Sequence, residues 1–274
     1  MPAVAALFSI IVPTWQRPAL VGIAVASVLA QTESSLECIV VDDASSTKPA
    51  LPADDRVRYI RRAVSGGPAA ARNTGVDAAN GTFLTFLDDD DRWMPHRLEL
   101  ARHSMSEAPI GVCWSRFEDE RPKSKRWLQG MVHDEILDTT TPHLGGTAIV
   151  REAFVPFDEQ FLAAEDVEWW LRVTAELAVA TVATFGCVLR RREERITSAE
   201  RWRSNRQLLT THADYFATHP RASAFRWQRV GSAARDAGEF GIARHAFRRA
   251  LSAKPSVPAA IGYLSSARHR TPGL

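Results

Sequence analysis

Phe83-Leu84-Thr85-Phe86-Leu87-Asp88-Asp89-Asp90-Asp91-Arg92-Trp93 sets an apolar, β-prone run of five residues directly against four consecutive carboxylates. The pattern predicts a buried strand that delivers acids to the rim of a sheet, where open α/β folds bind their ligands. Four adjacent carboxylates repel one another, so a positive charge is expected among them at neutral pH. A divalent cation with oxygen ligands suits that place, and one holding few protein carboxylates keeps positions for phosphates. An acidic turn or helix cap is the plainer meaning of an Asp-rich run. The neighbouring segments choose between the two.

Upstream, Phe8-Ser9-Ile10-Ile11-Val12 is a β-branched run ended by Pro13, a strand leaving the sheet at Thr14-Trp15. Pro18 to Ala30 has the spacing of a helix. Leu36 to Val41 is a second buried strand that also ends in acids, Asp42-Asp43, and Val57 to Ile60 is a short third. Ser65-Gly66-Gly67-Pro68 then opens onto a helix, Ala69 to Ala79, carrying Arg72 and Asn73. Strand–helix alternation of this kind predicts a largely parallel, doubly wound sheet. Two strands would end in carboxylates at one edge, with a helix N-terminus, which favours anions, between them. The chain lacks the Walker lysine pattern and G-x-G-x-x-G, which disfavours a simple nucleotide hydrolase or a dinucleotide oxidoreductase. The combination points to a nucleoside diphosphate presented to a metal. Asp42 or Asp43 would meet the base or ribose, Arg72 the base or phosphates, and Asp88 with Asp90 the metal.

Downstream, Arg97 to Glu107 reads as a helix, Ile110 to Ser115 as a strand, Glu118 to Lys125 as a loop, and Ala148-Ile149-Val150 as strand-like. Glu165-Asp166 stand just before a helix-like stretch, Val167 to Val173. They serve there either as charges on the helix dipole or as a general base aimed into a cleft. From about Ser198 the chain turns to Arg- and Ala-rich helix. Arg229 to Pro255 looks like one tetratricopeptide-like helix pair. Such a unit cannot bury its own face, so the catalytic domain or a second subunit should cover it. The arginines there read as a solvated face, with an anionic membrane surface or an acidic acceptor as the other reading. Arg268 to Leu274 reads as a frayed tail.

The 274 residues are 45% hydrophobic and 24% charged, an ordinary soluble composition, and a net charge of +2 gives no argument for nucleic acid. Cys38, Cys113 and Cys187 have apolar neighbours and no metal-ligand spacing, so they read as buried thiols in a reducing compartment. Met1 to Val12 lacks a basic n-region and a cleavage site and is not read as a signal peptide. No apolar run approaches the roughly 20 residues that span a bilayer. The expected location is cytoplasmic, with attachment at the inner membrane face left open.

Taken in order, these segments resemble the family 2 glycosyltransferases of the GT-A fold. The motifs are Ser9-Ile10-Ile11-Val12-Pro13-Thr14, Ser27-Val28-Leu29-Ala30-Gln31-Thr32 and Ile39-Val40-Val41-Asp42-Asp43-Ala44-Ser45. They continue with Ala71-Arg72-Asn73-Thr74-Gly75, Phe86-Leu87-Asp88-Asp89-Asp90-Asp91 and Glu165-Asp166. The resemblance covers about residues 8 to 195. It implies a Rossmann-like, mostly parallel sheet flanked by helices and an inverting sugar transfer, with Mn²⁺ or Mg²⁺, from a nucleotide diphosphate sugar to an acceptor hydroxyl. UDP or dTDP is the favoured donor nucleotide, and GDP is also admitted. The family places the nucleoside against Pro13, Thr14, Trp15, Asp42 and Asp43, with Arg72 bordering base and diphosphate. Asp88 and Asp90 match the ends of its Asp-x-Asp metal signature, and Asp89 holds the variable middle place, near the ribose. Asp166 matches the catalytic base, and Glu165 would orient it or the acceptor. Relatives often carry a His after the last core strand. Val188 to Arg195 has none; an arginine there, Arg192, would neutralise the phosphates, with a solvated basic face as the equal alternative, while His133 and His143 read as structural or exposed.

The expected domains are 1–197, catalytic, with a nucleotide-sugar and metal half to about 110 and an acceptor half from about 111, and 198–274, a small α-helical extension open to homodimer formation. Two other functions fit parts of the pattern. One is a sugar-phosphate nucleotidyltransferase, which wants a Gly-rich, Arg/Lys-bearing loop after the first strand, where Pro13-Thr14-Trp15-Gln16-Arg17-Pro18 has no glycine. The other is a non-catalytic nucleotide-sugar-binding scaffold.

Overall fold

The computed structural model describes residues 7–190 and 197–267. In chain order its elements begin with β1 (Phe8–Thr14), α1 (Val21–Leu29), β2 (Leu36–Asp42), β3 (Val57–Arg61), α2 (Gly67–Asp77) and β4 (Phe83–Phe86). They continue with β5 (Arg92–Trp93), α3 (Arg97–Ser104), β6 (Ile110–Phe117), β7 (Pro122–Ser124), β8 (Gln129–Gly130), β9 (Thr147–Val150), α4 (Glu165–Val173) and β10 (Val179–Leu189). Five helices follow: α5 (Ser198–Thr211), α6 (Ala213–Thr218), α7 (Pro220–Asp236), α8 (Phe240–Ala253) and α9 (Val257–Ala267).

The strands form one sheet in the order β3-β2-β1-β4-β9-β6-β10-β5, with β7 paired to β6 and β8 to β10. The β3-β2-β1-β4 half is parallel, and β10 runs parallel to β6. Between these blocks β9 is antiparallel to both its neighbours. Every residue of β2 is buried, as a parallel strand covered on both faces requires. Register brings Thr14 beside Asp42 and Ile11 beside Phe86, so β1, β2 and β4 reach the same edge with their C-terminal ends.

Local differences from the sequence reading have physical reasons. Helix α2 starts at Gly67 instead of Ala69, because Pro68 is preset for the first turn of a helix. The segment expected as a loop, Glu118 to Lys125, holds β7, returned onto β6 by a turn with Glu120 at φ 66°. Strand β10 escaped the sequence reading because register shifts between Val182 and Cys187 break its alternation. The three cysteines are free and buried as expected, and burial pushes the Cys38 thiol up to about 12.

Contacts divide the described residues into two units. The first comprises Met1–Val132, Pro142–Gln160 and Trp169–Arg191, and the second His133–Thr141, Phe161–Glu168 and Arg192–Leu274. Two short segments from the expected acceptor half thus group with the C-terminal helices, Glu165 and Asp166 among them. In the second unit a reciprocal pair between Thr197 and Glu200 caps α5. Helices α7 and α8 form a pair joined through Gly238, and the buried ring of Phe247 sits against Gly231 of α7 and Gly262 of α9. No helix among the described residues is long and apolar enough to cross a membrane.

Candidate active site

Two neighbouring acids follow the end of β2 with different partners. Asp42 is wholly buried and accepts from the Ser45 N–H at 2.9 Å and the Tyr59 hydroxyl at 2.6 Å. Burial alone would raise its pKa, but the bonds from Ser45 and Tyr59 outweigh it and hold the carboxyl below its usual range. Conversely, burial and the Asp42 charge push the Tyr59 hydroxyl up to about 12. A folded-state pKa below the unfolded value contributes stability at neutral pH that is lost as pH falls through the folded value. Tyr59→Phe is therefore expected to cost about 2 kcal/mol in urea unfolding at pH 7, the worth of a hydrogen bond to a charged group. That cost should shrink as Asp42 protonates. A cost that persists undiminished in acid would show that the hydroxyl does not act through the ionised carboxylate.

Asp43 organises the glycine loop. Its carboxylate accepts from Ser65 Oγ at 2.7 Å and from the N–H groups of Gly66 and Gly67 at 3.0 and 2.8 Å, and Arg62 pairs with it at 3.0 Å. Gly67 needs its missing side chain, because its φ is +82°. The loop at the start of α2 does attract an anion, as expected, but that anion is the protein's own.

Past β4, the Leu87 N–H still donates to the Ile11 carbonyl at 3.0 Å, and a turn closes when the Asp91 N–H reaches the Asp88 carbonyl at 3.1 Å. The four acids then diverge. Asp88 is held by Arg72 at 2.9 Å, whose buried guanidinium lies over the Phe157 ring. Asp89 is buried, accepting from Thr14 Oγ1 at 2.8 Å and from Arg17 at 2.9 Å. Burial raises its pKa against the pull of those two partners. Arg17 also pairs with Asp90. Asp91 accepts from the Arg190 N–H at 3.0 Å.

His143 faces this turn, with Nε2 3.6 Å from Asp91 and 3.9 Å from Asp88. Its Nδ1 accepts from the Gly145 N–H at 3.1 Å, so the neutral ring carries its proton on Nε2, toward the carboxylates. One oxygen each of Asp88, Asp90 and Asp91 fall within 4.8 Å of one another. Asp91, His143 and Cys187 form a second close group, which brings a single carboxylate, whereas the first brings three. The donors suited to a metal here are therefore hard carboxylate oxygens, which fit Mg²⁺ or Mn²⁺ better than a soft ion.

In the second unit, Ala164 precedes α4 at φ 63°. Glu165 is nearly buried, and Asp166 accepts from the Val167 N–H at 2.8 Å and lies within electrostatic reach of Arg229. One turn on, the buried Glu168 meets His212 of α5's end at 3.2 Å. Gln16 (φ 55°) and Ala44 (φ 61°) are strained in the same way in the first unit, beside Trp15 and Asp43. Left-handed backbone at a residue with a Cβ costs about 1–2 kcal/mol and persists where surroundings over-determine it, commonly at functional sites.

The first unit thus gathers Pro13, Thr14, Trp15, Asp42, Asp43, Arg72, Asp88, Asp89 and Asp90 at one sheet edge, with the Trp15 indole about half exposed. Glu165 and Asp166 belong to the second unit, and Arg192 lies outside the described residues. Three residues without an assigned role stand in the cluster: Arg17, Asp91 and His143. Asp91 closes a quoted motif, and Arg17 lies in the loop that follows the first one. Nothing local marks His143.

Comparison with known proteins bears on the same residues. The sequence pattern described as Glycosyl transferase family 2 matches residues 9–154. WcaA of Escherichia coli strain K12, named as a colanic acid biosynthesis glycosyl transferase, is 40% identical over 62% of this chain and 67% of its own. WfgD of Escherichia coli, a UDP-Glc:α-D-GlcNAc-diphosphoundecaprenol β-1,3-glucosyltransferase, is 27% identical over 64% of this chain and 73% of its own. The crystal structure of S. aureus TarS 1-349 superposes with a TM-score of 0.66 at 18% identity, covering 95% of this chain and 89% of that one, a likeness of fold. The sheet is that of the GT-A glycosyltransferases, and the family pattern spans β1 to β9 with the whole carboxylate turn inside it. A match over more than half of the chain, carried by the strands that build this edge, makes the chain a member of glycosyl transferase family 2.

Proposed function

We propose that the chain moves a sugar from a nucleoside diphosphate sugar to an acceptor hydroxyl with inversion at the anomeric carbon, using a divalent cation. One observation carries the reading: three carboxylates with oxygens within 4.8 Å of one another stand where β1, β2 and β4 end together. Asp88, Asp90 and Asp91 would hold Mn²⁺ or Mg²⁺, which when bound neutralises the charge that develops on a diphosphate leaving group. Arg17, which pairs with Asp90, would yield it. Arg72 and His143 keep Asp88 and Asp91 oriented. Asp42 and Asp43, fixed by their bonds to Tyr59 and the glycine loop, would shape the nucleoside end of the site, with the Trp15 indole offering a face to the base.

Asp166 is the proposed base, taking the acceptor's hydroxyl proton as its oxygen attacks, and Glu165 would orient that base or the acceptor. A single displacement needs no enzyme nucleophile. UDP stands first among donors because WfgD is named for UDP-Glc, and that relative's name also favours a diphospholipid-linked saccharide as the acceptor class.

Calorimetric titration with UDP, dTDP and GDP, with and without Mn²⁺, tests the donor half. One nucleotide should bind tightly only with metal, and Asp90→Ala should abolish that binding. Binding of none under any metal condition would overturn the mechanism.

A further inference from the structure

We propose that α9 is a docking face for an anionic lipid surface, on which the chain lies without spanning it. The helix is built inside out. Its start is marked by Ser256, whose hydroxyl accepts from the Ala259 N–H at 3.3 Å. Its inward positions are small: Ala259, Gly262 and Ser266 are buried, and a Cβ on Gly262 would stand 2.4 Å from the Phe247 ring. Its large apolar residues point the other way. Val257, Ile261 and Leu264 are 72%, 61% and 60% exposed. They are spaced i, i+4, i+7 and so form one stripe. An ordinary surface helix buries that stripe and exposes its polar side. Scattered exposed leucines need no explanation, but an aligned row on a helix whose small side faces inward does.

Charge names the occupant. From Phe240 to the end of the sequence there are six Lys and Arg residues and no Asp or Glu. Arg248 and Arg249 of α8 and Lys254, just after it, are exposed. A large-apolar stripe accompanied by an exposed basic flank, with Asp236 and Glu239 before α8 as the nearest acids in sequence, matches a bilayer surface rich in acidic headgroups, where aliphatic side chains enter the interface and Lys/Arg meet the phosphates. A second copy of the chain fits less well. It would bring equal positive charge against this face, and a helix of 11 residues, about 16 Å long and about 10 Å across, offers far less than the roughly 800 Å² per partner of a stable dimer. The lipid contact does not depend on the function proposed above.

Flotation of the full chain with vesicles of phosphatidylcholine alone, or with phosphatidylglycerol added, tests the proposal. The chain should float with the anionic vesicles, far less with neutral ones, and should be released by raised salt. Ile261→Glu with Leu264→Glu should weaken binding at least tenfold, and Arg248→Glu with Arg249→Glu should do the same on anionic vesicles only. Circular dichroism and metal-dependent nucleotide binding should be unchanged in both. Failure of those controls would report on the fold or the donor site instead of on this face. No binding to anionic vesicles, or undiminished binding in both variants, would overturn the proposal. So would a dimer in sedimentation equilibrium that Ile261→Glu with Leu264→Glu dissociates, because the stripe would then join copies of the chain.

Discussion

Asp166→Asn is expected to lower kcat about a thousandfold while leaving nucleotide binding where it is. A positioned general base contributes roughly 10²–10⁴ in rate, and three powers of ten correspond to about 4 kcal/mol of transition-state stabilisation. The substitution is informative because of what the side chain does in the folded chain. Its carboxylate accepts from the Val167 N–H at 2.8 Å, and an Asn oxygen in the same place accepts that bond equally well. What the amide cannot do is take a proton. The backbone that presents it is held by Ala164 in its left-handed conformation and, one turn along, by Glu168 against His212. None of those groups is touched by the change. The loss should therefore fall on kcat, with KM for the donor nearly constant. Asp90→Ala should differ in kind, losing metal-dependent nucleotide binding itself. Full turnover in Asp166→Asn would remove this residue from the chemistry and leave the proton to another base.

Much of the first unit was legible because its strands are apolar runs that stop at acids or turn residues. Phe83 to Phe86 and Leu36 to Asp42 could be placed from composition alone, and register then did the rest by bringing their ends together. The acids' partners were not legible. His143 reaches Asp88 and Asp91 only because β9 inserts antiparallel between β4 and β6, a tertiary pairing that leaves no local trace in Thr147 to Val150. Arg17 lies in a loop whose strained Gln16 aims it back at Asp89 and Asp90, and nothing in the residue types announces that turn. The glycine loop shows a subtler failure. Its affinity for anions was read correctly from general physics, and the folded chain satisfies it with Asp43, a competitor that local pattern cannot weigh. The helical second unit was legible as helix, but the grouping of Phe161–Glu168 with it depends on packing alone.

Arg97→Ala is expected to destabilise the protein by about 3–5 kcal/mol, a large part of the 5–15 kcal/mol that separates folded from unfolded domains. Sequence reading places this arginine at the start of a helix and assigns it no role, yet it is almost wholly buried. Among the described residues no carboxylate pairs with it. Burial depresses its pKa, and the charge is solvated instead by dipoles. Nε donates to the Gly145 carbonyl at 3.0 Å, and Nη2 donates to Thr85 Oγ1 and the Thr147 carbonyl, each at 2.8 Å. The guanidinium also lies 4.8 Å from the centre of the Trp93 ring. Truncation would remove three hydrogen bonds, leaving Trp93 Nε1 on the Gly145 carbonyl and Thr85 Oγ1 on the Thr147 carbonyl, and would open a cavity between α3 and the sheet, two costs that add. Arg97→Lys should recover little, because one ammonium lacks the planar fork that reaches acceptors on two strands at once. The consequence extends to the carboxylate turn. Gly145, held through its carbonyl by Arg97 and by Trp93 Nε1 at 2.8 Å, is the residue whose N–H fixes the His143 ring. Urea unfolding of the alanine variant measures the first effect, and Mn²⁺ affinity of the milder lysine variant measures the second. An alanine variant within about 1 kcal/mol of the parent would mean that water enters and replaces the guanidinium, and the buried charge would then contribute nothing to holding the metal edge together.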